Sequence, residues 1–140
     1  PDHRSQINIL RDRHSENPLD RVQPVVTKDE LLELVRETRN VEANDRIFDY
    51  VTTLAEATRT HPMVELGVSP RGALALCRMA KAHAFLAGRD FVVPEDVAAV
   101  FPDVCAHRLI LSAKARMMEE KAENILAEIL KSVDMPVLKA

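Results

Sequence analysis

The chain has 140 residues, enough for one domain with a core of its own, and its 46% hydrophobic and 29% charged residues exclude general disorder. A net charge of −3 excludes a chain whose main task is gripping nucleic acid, although it leaves room for a local basic patch. The aromatic residues are only Phe48, Tyr50, Phe85, Phe91 and Phe101, so the core must be aliphatic, which favours packed helices over a β-sandwich.

Cys77 and Cys105 lack CxxC spacing and paired histidines, so they read as reduced core residues rather than a zinc site or a disulfide. No apolar run approaches a membrane span and no signal-peptide core appears, so a cytoplasmic protein without a membrane partner is expected. The chain opens with Pro1 rather than Met, as an excised fragment or processed product would.

In chain order, residues 2–14 form a short helix with Ile7 and Leu10 on one side. Residues 15–26, containing Pro18 and Pro24, read as a connector. Thr27 stands three residues before Glu30, a capping box that starts a helix with Leu31, Leu34, Val35 and Thr38 on one face. Asn44 or Asp45 caps the next, with Ile47, Val51, Leu54, Ala55 and Thr58 at helical spacing before Pro62.

The clearest helix begins with Ser69 as N-cap and Pro70 at the first helical position, where a missing N–H costs nothing. Ala73, Leu76, Cys77, Ala80, Ala84 and Ala87 share its face, and Gly88 supplies the stop. Phe91 to Val93 read as a short extended segment paired with Val25 and Val26. Pro94, Glu95 and Asp96 open a short helix with acids at its positive end. Pro102 begins a further turn or short helix through Arg108. A last helix spans residues 112–132 with Met118, Ala122, Ile125, Leu126, Ile129 and Leu130 as its stripe, and the charge run from Met117 to Glu123 as a solvated face. The expected fold is all-α, a small helical bundle with at most one very short β pairing.

The chemistry is conspicuous for what it lacks. Gly67 and Gly72 have phosphate-loop spacing, but Ala73 and Leu74 stand where Lys and Ser or Thr would be needed. No GxSxG elbow, HExxH helix or strand-borne acid pair appears, so no catalytic residue is assigned to this chain. His3, His14, His61, His83 and His107 are scattered without ligand spacing and read as structural, leaving no metal site.

Arg71 differs, because a cation in the first turn of a helix opposes the macrodipole and needs another justification. One is an anion site formed with the helix amides and the Ser69 cap; the other is a salt bridge to a nearby carboxylate.

The segment from Glu65 to Val100, ELGVSPRGALALCRMAKAHAFLAGRDFVVPEDVAAV, resembles the lid of MoxR-type AAA+ ATPases. There, a G-x-S-P-R-A segment opens a long Ala/Leu-rich helix, and G-R-D-aromatic-V leads to P-x-D-V. TRTHP (Thr58 to Pro62), HRLILS (His107 to Ser112), the opening PDHRSQINIL and the late VDMPV extend the likeness over nearly the whole chain. Two departures are Gly72, where Ala is usual, and Val93, where a Thr cap is common.

The resemblance implies residues 1–26 as a connector and remnant after a AAA+ core, and residues 27–140 as the C-terminal lid. It implies Arg71 as the sensor 2 residue contacting the γ-phosphate of ATP, with Ser69 and Pro70 supporting it from the helix start. ATP and magnesium would belong to the intact ATPase, none held tightly by this chain, which alone would not hydrolyse ATP. Implied partners are the core domain, neighbouring subunits of a homo-oligomeric, hexameric ring, and proteins with a von Willebrand factor A domain.

A second reading is a nucleotide-independent helical interaction module, its amphipathic last helix docking a partner. A third, a helix-turn-helix DNA binder, ranks last, because the Ser69 to Ala87 helix offers only Arg71, Arg78 and Lys81 for base or phosphate contacts.

Overall fold

The computed structural model describes residues 1–13 and 17–137, with the chain dividing into two units between Leu34 and Val35. His14 and the first residues of the expected connector, Ser15 and Glu16, lie outside the described residues.

In the first unit, α1 (His3–Arg13) begins where the Asp2 carboxylate accepts a hydrogen bond from the Ser5 amide at 2.7 Å. A 3-10 turn, Pro18–Arg21, follows. The expected capping box then opens α2 (Lys28–Asn40). The Glu30 amide donates to Thr27 Oγ1 at 3.2 Å, and the Thr27 amide and hydroxyl donate to Glu30 Oε2 at 2.7 and 2.8 Å. The Thr27 amide, and after it the hydroxyl, hold the Glu30 carboxyl below its ordinary value. The apolar stripe of α2 exists but is uncovered: Leu31 and Leu34 in this unit, and Val35 in the next, are all exposed.

The second unit holds the core. α3 (Asp45–Thr60) starts at Asn44, whose side chain accepts from the Ile47 amide at 3.1 Å, and buries Ile47, Val51, Leu54, Ala55 and Thr58 as its spacing requires. α4 (Pro70–Leu86) buries Gly72, Leu76, Ala80 and Ala84, and packs most extensively on α5 (Pro94–Cys105). Three of these four buried residues are small, which allows neighbouring backbones a close approach. Cys77 is half-buried and Ala87 exposed, so the apolar face of α4 is narrower than its sequence spacing implies. Gly88, at φ 75, ends α4, and the Arg89 amide returns to the Ala84 carbonyl at 3.0 Å in a Schellman closure.

α5 is one helix rather than two pieces, with Pro102 inside it. A proline there forfeits one hydrogen bond and crowds the preceding turn. Val97, Val100, Phe101, Val104 and Cys105 form an unbroken buried stripe that carries the helix through, and the turn Ala106–Arg108 follows it.

The expected last helix is also corrected. Ser112 caps a short α6 (Ala113–Met117), the chain then turns, and α7 (Ala122–Ser132) buries Ile125, Leu126 and Ile129. The turn places Glu119 at φ 55 and closes through Glu120 N–H to the Ala115 carbonyl at 3.0 Å. This is a left-handed helix stop made without glycine, so the charge run around it is a break and not a continuous helix face.

The β pairing falls elsewhere than expected. β1 (Val64–Leu66) pairs antiparallel with β2 (Ile110–Leu111), in register Val64 with Leu111 and Leu66 with Ile110. Phe91 instead forms an isolated parallel bridge with Glu42. The Glu42 amide donates to the Asp90 carbonyl at 2.7 Å and the Val92 amide to the Glu42 carbonyl at 2.9 Å. The physical reason is burial. This bridge brings Val41 and Val92 into the core, whereas Val25 is 95% exposed.

Candidate functional site

The start of α4 is built from its neighbours on both sides. Gly67 lies so close to the C-terminal turn of α3 that a Cβ there would fall 2.6 Å from the Arg59 nitrogen, a contact only glycine permits. Two bonds then fix the next residue. The Val68 amide donates to Thr58 Oγ1 at 2.8 Å, and Arg59 Nε donates to the Val68 carbonyl at 2.8 Å. Val68 itself is fully buried. The loop that delivers Ser69 is thereby clamped to the end of α3.

Ser69 Oγ accepts from the Gly72 amide at 3.2 Å, and its carbonyl accepts from the Ala73 amide at 3.0 Å. Pro70 has no N–H to satisfy. Arg71, the second residue of the helix, is exposed, and no carboxylate among the described residues pairs with it. Its guanidinium stands free beside the positive end of a 17-residue helix.

Gly72 faces inward. A Cβ there would meet Val68 Cγ1 at 2.7 Å and Arg108 Cδ at 3.2 Å, so the departure from Ala at this position makes room for the Arg108 stem. The Arg108 guanidinium in turn contacts the His107 ring. Arg108 is therefore a neighbour of the S-P-R turn, although 36 residues separate it from Gly72 in the chain.

A second polar cluster lies at the far end of α4 and was not foreseen as a unit. Asp96, 1% exposed, receives Arg89 Nη1 at 2.7 Å, Arg89 Nη2 at 2.5 Å, the Val93 amide at 2.8 Å and His83 Nδ1 at 2.7 Å. Burial pushes the carboxyl upward, but the Arg89, Val93 and His83 hydrogen bonds outweigh it and hold Asp96 at about 2. Val93 has no side-chain oxygen, so only the carboxylate half of a capping box forms. The sequence signal was present in G-R-D-F-V-V-P-E-D, where an Arg precedes an acid at a helix start. Reading Asp96 only against the helix dipole missed its bidentate partner.

His61 Nδ1 accepts from the Met63 amide at 3.2 Å, and its Nε2 lies 3.6 Å from Glu128. Both thiols are free. Burial raises Cys77 and pushes Cys105 up to about 11, which disfavours the thiolate form of each. Among the described residues no group of acids, histidines or cysteines could hold a metal ion, and no helix is long and apolar enough to cross a membrane.

Residues 56–129, which contain the whole S-P-R turn, the Asp96 cluster and Arg108, match the family model described as the AAA lid domain. The chain belongs to the AAA lid domain family. It is 36% identical over all of its 140 residues to the uncharacterized protein YeaC of Bacillus subtilis, of which it covers 44%. It is 32% identical over 125 residues to chaperone MoxR1 of Mycobacterium tuberculosis, covering 83% of this chain and 33% of that protein. Over 71 residues it is 42% identical to protein MoxR of Methylorubrum extorquens, covering 51% of this chain and 20% of that one. The lid is thus of the MoxR kind. A crystal structure of a protein of Cytophaga hutchinsonii, assigned as an ATPase, matches 97% of this chain and 44% of its own with a TM-score of 0.82 at 31% identity. The lid spans less than half the length of each of these relatives.

Proposed function

We propose that the lid senses nucleotide for a MoxR-type AAA+ ATPase, with Arg71 contacting the γ-phosphate of ATP bound in a core domain outside this chain. The observation that carries the reading is a free guanidinium on a rigidly held helix start. Arg71 is exposed and unpaired among the described residues, while Thr58, Arg59 and Gly67 fix the turn that presents it. Leaving a cation unpaired against the helix dipole costs a few tenths of a kcal/mol to about 1 kcal/mol, which an arriving phosphate reverses.

A guanidinium offers two parallel donors to phosphate oxygens, and Ser69 and Pro70 hold the turn from which it does so. Contact made with ATP and lost with ADP would make the lid's position depend on the nucleotide state. In this reading residues 1–26 connect to the core, and the lid's movements are passed to neighbouring subunits of a homo-hexameric ring. The assembly remodels partner proteins in the manner of a chaperone, among them proteins with a von Willebrand factor A domain. The protein works in the cytoplasm. Magnesium, like ATP, would be held in the core domain outside this chain.

The reading is tested by nucleotide discrimination in the longer ATPase. Calorimetric affinities for a non-hydrolysable ATP analogue and for ADP should differ in the unmodified protein. Arg71→Ala should lose roughly tenfold or more for the analogue, one charge-assisted bond, with ADP unchanged. Equal losses for both nucleotides would contradict a γ-phosphate contact.

A further inference from the structure

The middle of α4 carries a surface that nucleotide sensing leaves unused. A groove of about 800 Å³ runs between the last turns of α2, from Val35 onward, the first turn of α3 and the middle of α4. Its floor includes Phe48, Leu74 and Cys77, and its rim is Arg39, Arg78 and Lys81. Phe48 and Leu74 are 44% and 50% exposed, an apolar pair left open to water beside the well-packed core.

The charge on this rim runs against the chain as a whole. The net charge is −3, yet three cations and no Asp or Glu line the groove. Lys81 Nζ donates to the Arg39 carbonyl at 3.3 Å, which ties α4 to the end of α2 and keeps its ammonium at the rim. Neither the Arg39 nor the Arg78 guanidinium has an ion pair among the described residues.

Leu74, Arg78 and Lys81 fall at i, i+4 and i+7 along α4, so apolar and cationic positions share one stripe. The volume lies within the range of about 300–1,000 Å³ typical of concave binding sites.

We propose that this groove docks an acidic amphipathic helix of a partner protein. Apolar residues of that helix at i, i+3 or i+4, and i+7 would fill the floor over Phe48 and Leu74. Asp and Glu on its flanks would face Arg39, Arg78 and Lys81, giving orientation and a faster, salt-sensitive encounter. With Phe48 as the one aromatic among its lining residues, the groove lacks the series of stacking aromatics that a nucleic-acid groove would interleave with its cations. The inference does not depend on Arg71 or on nucleotide.

The test uses this chain and a labelled peptide of about five helical turns, with Leu and Phe at the anchor spacing and Glu on both flanks. A second peptide carries Lys in place of every Glu. By fluorescence anisotropy the acidic peptide should bind with a Kd on the order of 10–100 µM. It should weaken about tenfold with R39E/R78E, a pair of exposed positions, and weaken further in salt. The Lys peptide should show the reverse preference and favour R39E/R78E. Leu74→Ser should weaken both peptides, and melting curves verify that each variant is folded. Equal binding of the two peptides, indifference to R39E/R78E, or occupation of the groove by a second copy of the chain would each overturn the proposal.

Discussion

Substituting Asp96 by Asn keeps the shape of the side chain and removes its charge. Asp96 is 1% exposed and accepts from Arg89 twice, from the Val93 amide and from His83. The asparagine would turn one amide nitrogen toward donors and leave Arg89 with the Phe91 carbonyl, its other partner at 3.0 Å. Linkage sets the lower bound. A carboxyl near 2 in the folded chain, against 3.8 as its ordinary value, is worth about 2 kcal/mol at neutral pH. Breaking a buried pair typically costs about 3–5 kcal/mol, so roughly 2–4 kcal/mol is expected.

In a domain of this size that loss lowers the thermal midpoint by about 7–15 °C. The sign with pH is fixed. Asp96 has a depressed pKa, so its contribution is complete above the unfolded value and lost as pH falls from about 4 toward 2. Circular dichroism melts at pH 7 and near pH 2 should therefore show a large gap at neutrality that closes substantially in acid. A gap of only a degree or two at pH 7, or an undiminished one near pH 2, would refute the assignment of this carboxylate as the clamp on α5.

Gly67→Ala should destabilise the domain by more than about 1 kcal/mol in urea titration, because the new Cβ meets Arg59 backbone at 2.6 Å with no flexible atom to yield. Glu119→Gly should stabilise it by up to about 1 kcal/mol by relieving a left-handed residue, at φ 55, and a loss of stability would contradict this stop. Tyr50→Phe should be neutral or mildly stabilising, since the Tyr50 hydroxyl is buried without a partner among the described residues; a cost above about 1 kcal/mol would mean that it has one. Leu76→Ala, at a fully buried position of α4, should cost about 2–5 kcal/mol by the same titration.

The sequence was most legible where local chemistry and packing agree. Thr27 and Glu30, Asn44, Ser69 with Pro70, and Gly88 mark helix ends through bonds made within a few residues, and the structure places the ends there. It was least legible where tertiary packing overrides a local signal. Pro102 looks like a helix start, yet the buried stripe from Val97 to Cys105 carries α5 through it. Glu119 carries no mark of a left-handed stop, so the break between α6 and α7 is invisible before the chain folds. Partners far apart in sequence were equally hidden. Thr58 and Arg59 reach the Val68 turn, and Arg108 lies over Gly72, through contacts that no spacing rule announces. At the candidate site, the position of Arg71 in its helix was readable and its lack of an ion-pair partner among the described residues was not.

The central claim is that Arg71 serves a phosphate rather than the fold, and paired measurements on Arg71→Ala test it most directly. The thermal midpoint of this chain should move by no more than about 2 °C, because an exposed first-turn arginine contributes little to helix stability. The ATPase rate of the longer protein should fall roughly ten- to a thousand-fold, the effect of losing one or two charge-assisted bonds formed mainly in the transition state. An unchanged rate, or a chain that unfolds without Arg71, would contradict the account.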